Sequence, residues 1–130
     1  MARQVIGVMG PGQGATSEDV GCAMELGRLI AQKGYVLLSG GRAQGVMDAV
    51  NRGAKERGGL TVGVLPSGDR EGVSQYVDVA IVTDMGSARN NINVLSSDVV
   101  VAVGVGSGTV SEIALALKAQ RHVVLLNCPS

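Results

Sequence analysis

The chain has 130 residues, 45% of them hydrophobic and 17% charged, which bounds it to one globular domain and excludes a disordered segment. Lys+Arg and Asp+Glu balance at 11 each, so bulk charge gives no support for nucleic-acid or membrane binding. With two Tyr, no Phe and no Trp, base stacking on aromatic platforms is disfavoured too, and the core must come from Val, Leu, Ile, Ala and Met.

In chain order, residues 4–9 read as a buried strand, followed by the loop Gly10-Pro11-Gly12-Gln13-Gly14-Ala15. A helix follows, with Val20, Ala23, Met24, Gly27, Ile30 and Ala31 on one face. Thr16 and Asp19 are spaced as its capping box, and Gly34 stands where a C-terminal glycine belongs. Cys22 falls on the apolar side of this helix, which suggests a buried thiol. Cys22 and Cys128 match no metal or redox spacing and fit a reducing cytosol. Residues 35–39 form a second strand, ending in the glycine turn 40–45. Val46, Met47, Val50 and Ala54 mark the next helix, which stops near Gly58 and Gly59.

Residues 60–65 are a third strand, 66–75 a polar, turn-rich stretch, and 77–82 a fourth strand. Residues 87–97 form a short helix with Ala88, Ile92 and Leu95 inward. Residues 98–103 are strand five, 113–120 a helical run, and 122–127 strand six. Near-continuous apolar strands alternating with helices imply a parallel sheet covered on both faces. The expected fold is a single doubly wound, Rossmann-like α/β domain of about six strands over residues 1–130. Met1-Ala2-Arg3-Gln4 leads straight into a strand, so no signal peptide is expected, and no apolar run reaches membrane-spanning length. The sequence stops just after strand six, where a covering helix or a further strand is expected, so either that last C-terminal element is missing or the domain is unusually short.

The segment Gly104-Val105-Gly106-Ser107-Gly108-Thr109-Val110-Ser111-Glu112 carries the strongest functional signal. A strand, a glycine turn and a helix start make an anion site: glycines let N–H groups approach a ligand, and the helix N-terminus adds partial positive charge. A phosphate-bearing small molecule is the expected ligand. Glu112 lies one turn inside the helix. It either caps that helix with Thr109 or faces the ligand, and spacing alone favours the cap.

The other loops are weaker. Gly10-x-Gly12-x-x-Ala15 fits the dinucleotide fingerprint, but Glu18 and Asp19 would repel a pyrophosphate and strand two ends without an acid for a ribose diol, which argues against ordinary NAD binding. Arg42, in the second turn, meets either an anion or solvent. Arg89 opens a helix, where a cation is unfavourable unless an anion or carboxylate faces it. His122, the only histidine, reads as structural, and no metal site or histidine triad is expected.

Taken as a set, Ser39-Gly40-Gly41, Gly45-Val46-Met47, Gly58-Gly59, Val64-Leu65-Pro66, Met85-Gly-x-x-Arg89-Asn90 and the 104–112 loop resemble the molybdenum cofactor carrier protein family and its bacterial relatives, often labelled lysine decarboxylases. The resemblance covers nearly the whole chain. A sister family is the cytokinin-activating phosphoribohydrolases, the Lonely Guy enzymes. Their Pro-Gly-Gly-x-Gly-Thr-x-x-Glu motif loses its leading Pro and next Gly here, and their Arg-Lys pair becomes Arg89-Asn90, which is closer to the carrier branch. Val105 departs from both.

The resemblance implies a ligand phosphate at Gly106, Ser107, Gly108 and Thr109, with Gly40, Gly41 and Gly45 lining the cleft. In the carrier branch the ligand is a pterin cofactor ending in phosphate, and Arg89 holds an anionic group. In the enzyme branch Glu112 and Arg89 are catalytic and assist N-glycosidic cleavage of a nucleoside 5′-monophosphate such as AMP. The resemblance also implies a cytoplasmic homodimer or tetramer that needs no cofactor to fold and has a small-molecule partner. The apolar run 113–117 agrees with an oligomer. Lysine decarboxylation needs a Schiff-base lysine, and Lys33, Lys55 and Lys118 all fall on helices away from the glycine loops, so that activity is not expected.

Overall fold

A computed structural model describes residues 3–104 and 107–126, without the side chains of residues 107–109. The strands are β1 (Val5–Met9), β2 (Val36–Ser39), β3 (Leu60–Leu65), β4 (Val79–Val82), β5 (Val99–Val103) and β6 (His122–Leu126). The helices are α1 (Ser17–Gln32), α2 (Gly45–Glu56), α3 (Arg89–Ser96) and α4 (Ser107–Lys118). All strand pairs are parallel, and the sheet order is β4-β3-β2-β1-β5-β6. This is the Rossmann-like α/β arrangement expected from the alternating pattern. The chain runs outward from β1 to β4, then returns to lay β5 on the opposite side of β1. That reversal opens a crevice at the carboxyl ends of β1 and β5.

Side-chain alternation along the strands splits the core in two. On one face Ile6, Val8, Val101 and Val103 pack with Ala23 and Ile30 of α1 and Val46, Ala49, Val50 and Ala54 of α2. On the other, Met9 and Val100 pack with Val94 of α3 and Ala116 of α4. The central strands are covered on both faces, as expected. The outer strands are not: Val79 and Ile81 of β4 are 47% and 43% exposed, and Leu125 of β6 is 68% exposed. No described helix is long and apolar enough to cross a membrane.

Local signals hold at α1. The Thr16 side chain accepts from Asp19 N at 3.1 Å, and Asp19 Oδ2 accepts from Thr16 N at 3.2 Å, which completes the capping box. Gly34 ends the helix at φ +75°, with Gly34 N donating to Ala31 O and Tyr35 N to Ile30 O. Cys22 is half-buried against the first core cluster, and its sulfur is held in a disulfide rather than as the free thiol expected.

The inward face expected for the helix over residues 87–97, Ala88, Ile92 and Leu95, is corrected. A 3-10 turn, Gly86–Ala88, precedes α3 and shifts its phase. Asn93 and Val94 are buried, Ile92 is only half-buried, and Ala88 and Leu95 are exposed.

The tightest contact in the fold is between α1 and α2. A Cβ at Gly27 would stand 2.1 Å from Val50 O, and one at Gly53 would stand 2.0 Å from Met24 O. The two backbones meet without side chains between them. Replacing a mid-helix Gly by Ala ordinarily gains about 1 kcal/mol from helix propensity. At Gly53 the backbone clash wins, because overpacking a filled contact costs about 1–3 kcal/mol. Gly53→Ala is therefore expected to lose up to about 2 kcal/mol of stability in urea denaturation. Gly21→Ala, on the same pair but with nothing within 4 Å of its added Cβ, is expected to gain up to about 1 kcal/mol.

Candidate functional site

The crevice at the sheet's carboxyl edge holds a cavity of about 200 Å³. Its walls are Val8, Met9 and Gly10 at the end of β1, Gly40 after β2, Met47 on α2, Arg89 and Asn90 opening α3, and Glu112 on α4. Each of these positions lies at the end of a strand, just after one, or in the first two turns of a helix, so the topology alone gathers them. Gly40 is required by crowding: a Cβ there would stand 2.7 Å from Met47 Sδ and 3.1 Å from Arg89 Nη2. Gly10 is pressed between the Val103 carbonyl, at 2.6 Å from an added Cβ, and the Val46 side chain.

Arg89 is the first residue of α3 and is half-buried. Its Nη1 donates to Asn90 Oδ1, while its Nε is buried without an acceptor. Burial holds its guanidinium below the usual arginine range, opposed by Glu112 and helped by Arg42. Glu112 is in the converse position. Burial pushes its carboxyl up to about 7, against the pull of Arg89. Among the described residues, no carboxylate lies within ion-pair distance of Arg89. The site thus presents a charged donor with a free N–H and a carboxyl that can carry a proton near neutrality.

Three of the residues singled out in the sequence, Gly40, Arg89 and Glu112, line this one cavity. Gly41 and Gly45 lie beside it. An added Cβ at Gly41, φ +77°, would meet Gly63 Cα at 3.0 Å. One at Gly45, φ +50°, would meet the carbonyls of Gly12 and Pro11 at 2.3 and 2.5 Å. Both shape the turn rather than the wall. Ser107, Gly108 and Thr109 fall in the first turn of α4, with side chains outside the description, and Gly106 lies outside the described residues.

The start of α4 also corrects the capping expectation. The helix begins at Ser107, so Thr109 and Glu112 both lie inside it, and Glu112 is not spaced to cap its end. Asn90, Met9, Met47 and Gly10 complete the wall. Asn90 was visible as Arg89's neighbour, whereas the methionines read only as core. Asn93, one turn beyond Arg89, is fully buried with both side-chain polar atoms unpartnered, and nothing in the local pattern announced it. Among the described residues, no group of three or more His, Cys, Asp or Glu is placed to hold a metal ion.

The Glu112 shift has a sign. A carboxyl raised from 4.5 to about 7 on folding binds its proton more tightly in the folded state. Stability is therefore fully present below about pH 4.5 and falls as pH rises to about 7. Glu112→Gln removes that fall. The variant's stability advantage over the parent is expected to widen by about 2 kcal/mol between pH 5 and pH 8, read by thermal or urea unfolding.

Comparison with known proteins fits this geometry. The chain is 59% identical to the molybdenum cofactor binding protein of the phototrophic bacterium Rippkaea orientalis, whose structure superposes with a TM-score of 0.97 over 99% of this chain and 79% of that one. It is 53% identical to the Moco carrier protein of Chlamydomonas reinhardtii, with a TM-score of 0.90 over 98% of this chain and 79% of that one. It is also 38% identical over 93 residues to the cytokinin riboside 5′-monophosphate phosphoribohydrolase of Mycobacterium tuberculosis, a match spanning 70% of this chain and 50% of that protein. The model of the SLOG cluster4 family matches residues 3–130, and the chain belongs to that family.

Proposed function

We propose that this chain binds a phosphate-bearing small molecule, a molybdenum cofactor-type pterin, in the crevice between the ends of β1 and β5. The observation that carries this reading is the cavity wall itself. Arg89 offers a buried N–H with no acceptor and packs beside Gly40 in that wall. Relatives described as molybdenum cofactor binding and carrier proteins share the fold at 53–59% identity. The cavity, about 200 Å³, is smaller than a typical pocket for a drug-sized ligand, so it takes part of the pterin while the rest lies across the open mouth. The phosphate goes to the first turn of α4, at Gly106, Ser107, Gly108 and Thr109, where N–H groups and the helix dipole favour an anion. The cofactor is cargo in this reading, and the chain's own residues bind and shield it.

A pterin carrying a phosphate-ended side chain is expected to bind in calorimetry, and its dephosphorylated form to bind at least about tenfold more weakly, the loss of one charge-assisted hydrogen bond. Failure of both to bind would overturn the carrier reading.

A second reading has its own support. Glu112, held near neutrality beside Arg89, can act in glycosidic cleavage of a nucleoside 5′-monophosphate. Water adds to C1′, the N-glycosidic bond breaks, the base leaves with a proton, and ribose 5-phosphate remains. Glu112 would supply or accept that proton and face the oxocarbenium-like charge. Incubation with AMP, followed by chromatography, decides between the readings. Under the carrier reading no base is released. Under the hydrolase reading base appears, and Glu112→Gln slows its release by about 100-fold or more.

We also propose that the chain assembles into a homodimer or tetramer. Leu95, Val110, Leu117 and Leu125 are 50–68% exposed, and they cluster on α3, α4 and β6, where the sheet lacks a cover. Leu117→Glu together with Leu125→Glu is expected to shift the light-scattering mass to that of a monomer. An unchanged mass would exclude this face.

A further inference from the structure

We infer that Asn90 is a positioning residue: its side-chain oxygen clamps the Arg89 guanidinium beside Gly40, and so keeps the cavity open between Arg89 and Glu112. The clamp stands on the side chains described here. Its use, to hold space for an anionic ligand, rests on the reading above that this cavity takes the ligand.

Three observations converge. First, Arg89, Asn90 and Glu112 all line the one cavity of about 200 Å³. Opposite charges that share a small, partly desolvated space attract strongly. Arg89 and Glu112 do pull each other toward their charged forms, yet they are not within ion-pair distance. Something holds the guanidinium back. Second, Arg89 Nη1 donates to Asn90 Oδ1. A hydrogen bond with a charged donor is roughly twice as strong as a neutral one. Third, the other terminal nitrogen lies against the glycine turn. Arg89 Nη2 and Cζ are 3.1 and 3.6 Å from where a Cβ of Gly40 would stand, and Met47 Sδ is 2.7 Å from the same point. Asn90 at one nitrogen and the Gly40 turn at the other fix the group from two sides.

Helix geometry alone does not supply this contact. Arg89 and Asn90 are the first two residues of α3, and successive side chains on a helix do not face each other. The Arg89 side chain has to turn across its neighbour to meet it. The chemistry of the pair runs in one direction. A guanidinium has only donors, so the Asn90 carboxamide must present its oxygen to Arg89 and its Nδ2 elsewhere. The neutral acceptor holds the arginine without cancelling its charge. A lysine at this position could not accept from Arg89 and would repel it. With no acceptor at position 90, Arg89 is free to close on Glu112. That collapse would fill the cavity and consume the donors that an anionic ligand needs.

The test uses the whole chain, free of ligand, with ¹³C in the glutamate side chains. The Glu112 carboxyl signal, assigned by its loss in Glu112→Gln, is followed by NMR across the acidic and neutral range. In the parent it is expected to titrate at about 7. Asn90→Ala removes the acceptor and lets Arg89 reach Glu112, so the midpoint is expected to fall by about one pH unit or more, a tenfold loss of proton affinity. Asn90→Leu keeps the bulk without the acceptor and is expected to do the same, so the result does not hang on the folding of one variant. Asn90→Gln keeps an amide oxygen and is expected to hold the midpoint near that of the parent. An asparagine that only supported the fold would change stability without lowering the Glu112 midpoint. The inference is overturned if the midpoint stays at about 7 in both Asn90→Ala and Asn90→Leu, or if Asn90→Gln lowers it as far as they do. In calorimetry the phosphate-ended pterin is expected to bind Asn90→Ala about tenfold more weakly than the parent. Failure of that pterin to bind the parent would count against the cofactor reading alone, since the clamp is measured with no ligand present.

Discussion

The structure depends on backbone meeting backbone. With no Phe and no Trp, the chain cannot fill wide gaps between layers, and it brings the layers together instead. At Gly27 and Gly53 the α1 and α2 backbones touch across a contact that no side chain could enter. At Gly10 and Gly45 the first two connecting turns close on Val103, Pro11 and Gly12 in the same manner. The consequence reaches the crevice. Because α2 sits tight on the sheet, Met47 stands over Gly40, and Gly40 in turn lies under the Arg89 guanidinium. A single methyl group added at any of these places would displace a wall of the cavity.

That compactness sets the electrostatics. Arg89 and Glu112 face one small cavity whose other walls, Asn90 apart, are apolar or backbone, so each loses water and only Arg89 gains a described side-chain hydrogen bond, to Asn90. Burial drives both toward their neutral forms, and their mutual attraction offsets only part of it. Arg42 adds a second cation at the same edge. The result is arginine N–H groups buried without acceptors, fixed before any ligand arrives. Pre-organised donors of this kind bind an anion without the penalty of ordering flexible side chains.

Much of this was legible in the sequence, for identifiable reasons. Strand β3 was read to its ends because Gly59 and Pro66 bracket an apolar run. The α1 cap was legible because Thr16 and Asp19 act through local spacing. The placement of Gly40, Arg89 and Glu112 followed from topology, since each stands just after a strand or near the start of a helix. What failed was phase. A 3-10 turn ahead of Arg89 rotated α3, so Asn93 went inward and Leu95 outward, against hydrophobic pattern. The α4 helix began earlier than its Thr-x-x-Glu spacing indicated, and that removed the capping role from Glu112. Arg42 could not be decided from sequence at all, because its backbone bridges to Val73, distant along the chain.

The loss of a capping role changes what Glu112 means. A capping glutamate is stabilising and exposed, and its presence needs no further reason. A glutamate half-buried one turn into the helix, with its carboxyl pushed to about 7, opposes folding at neutral pH. Such a group persists in a fold only where the rest of the structure can carry it, and here the α1–α2 contact and the two core clusters do so. Its chemistry is double-sided. Protonated, Glu112 offers an O–H to an anionic ligand and leaves the arginine donors free. Ionised, it competes with that ligand for Arg89. Binding an anion beside Arg89 would therefore raise the carboxyl further and draw in a proton, so the occupied site favours the protonated form. A proton held in that way can remain with a bound cargo, or be delivered to a leaving base. The carrier and hydrolase readings thus differ in what sits against one carboxyl, while the electrostatic frame around it is common to both.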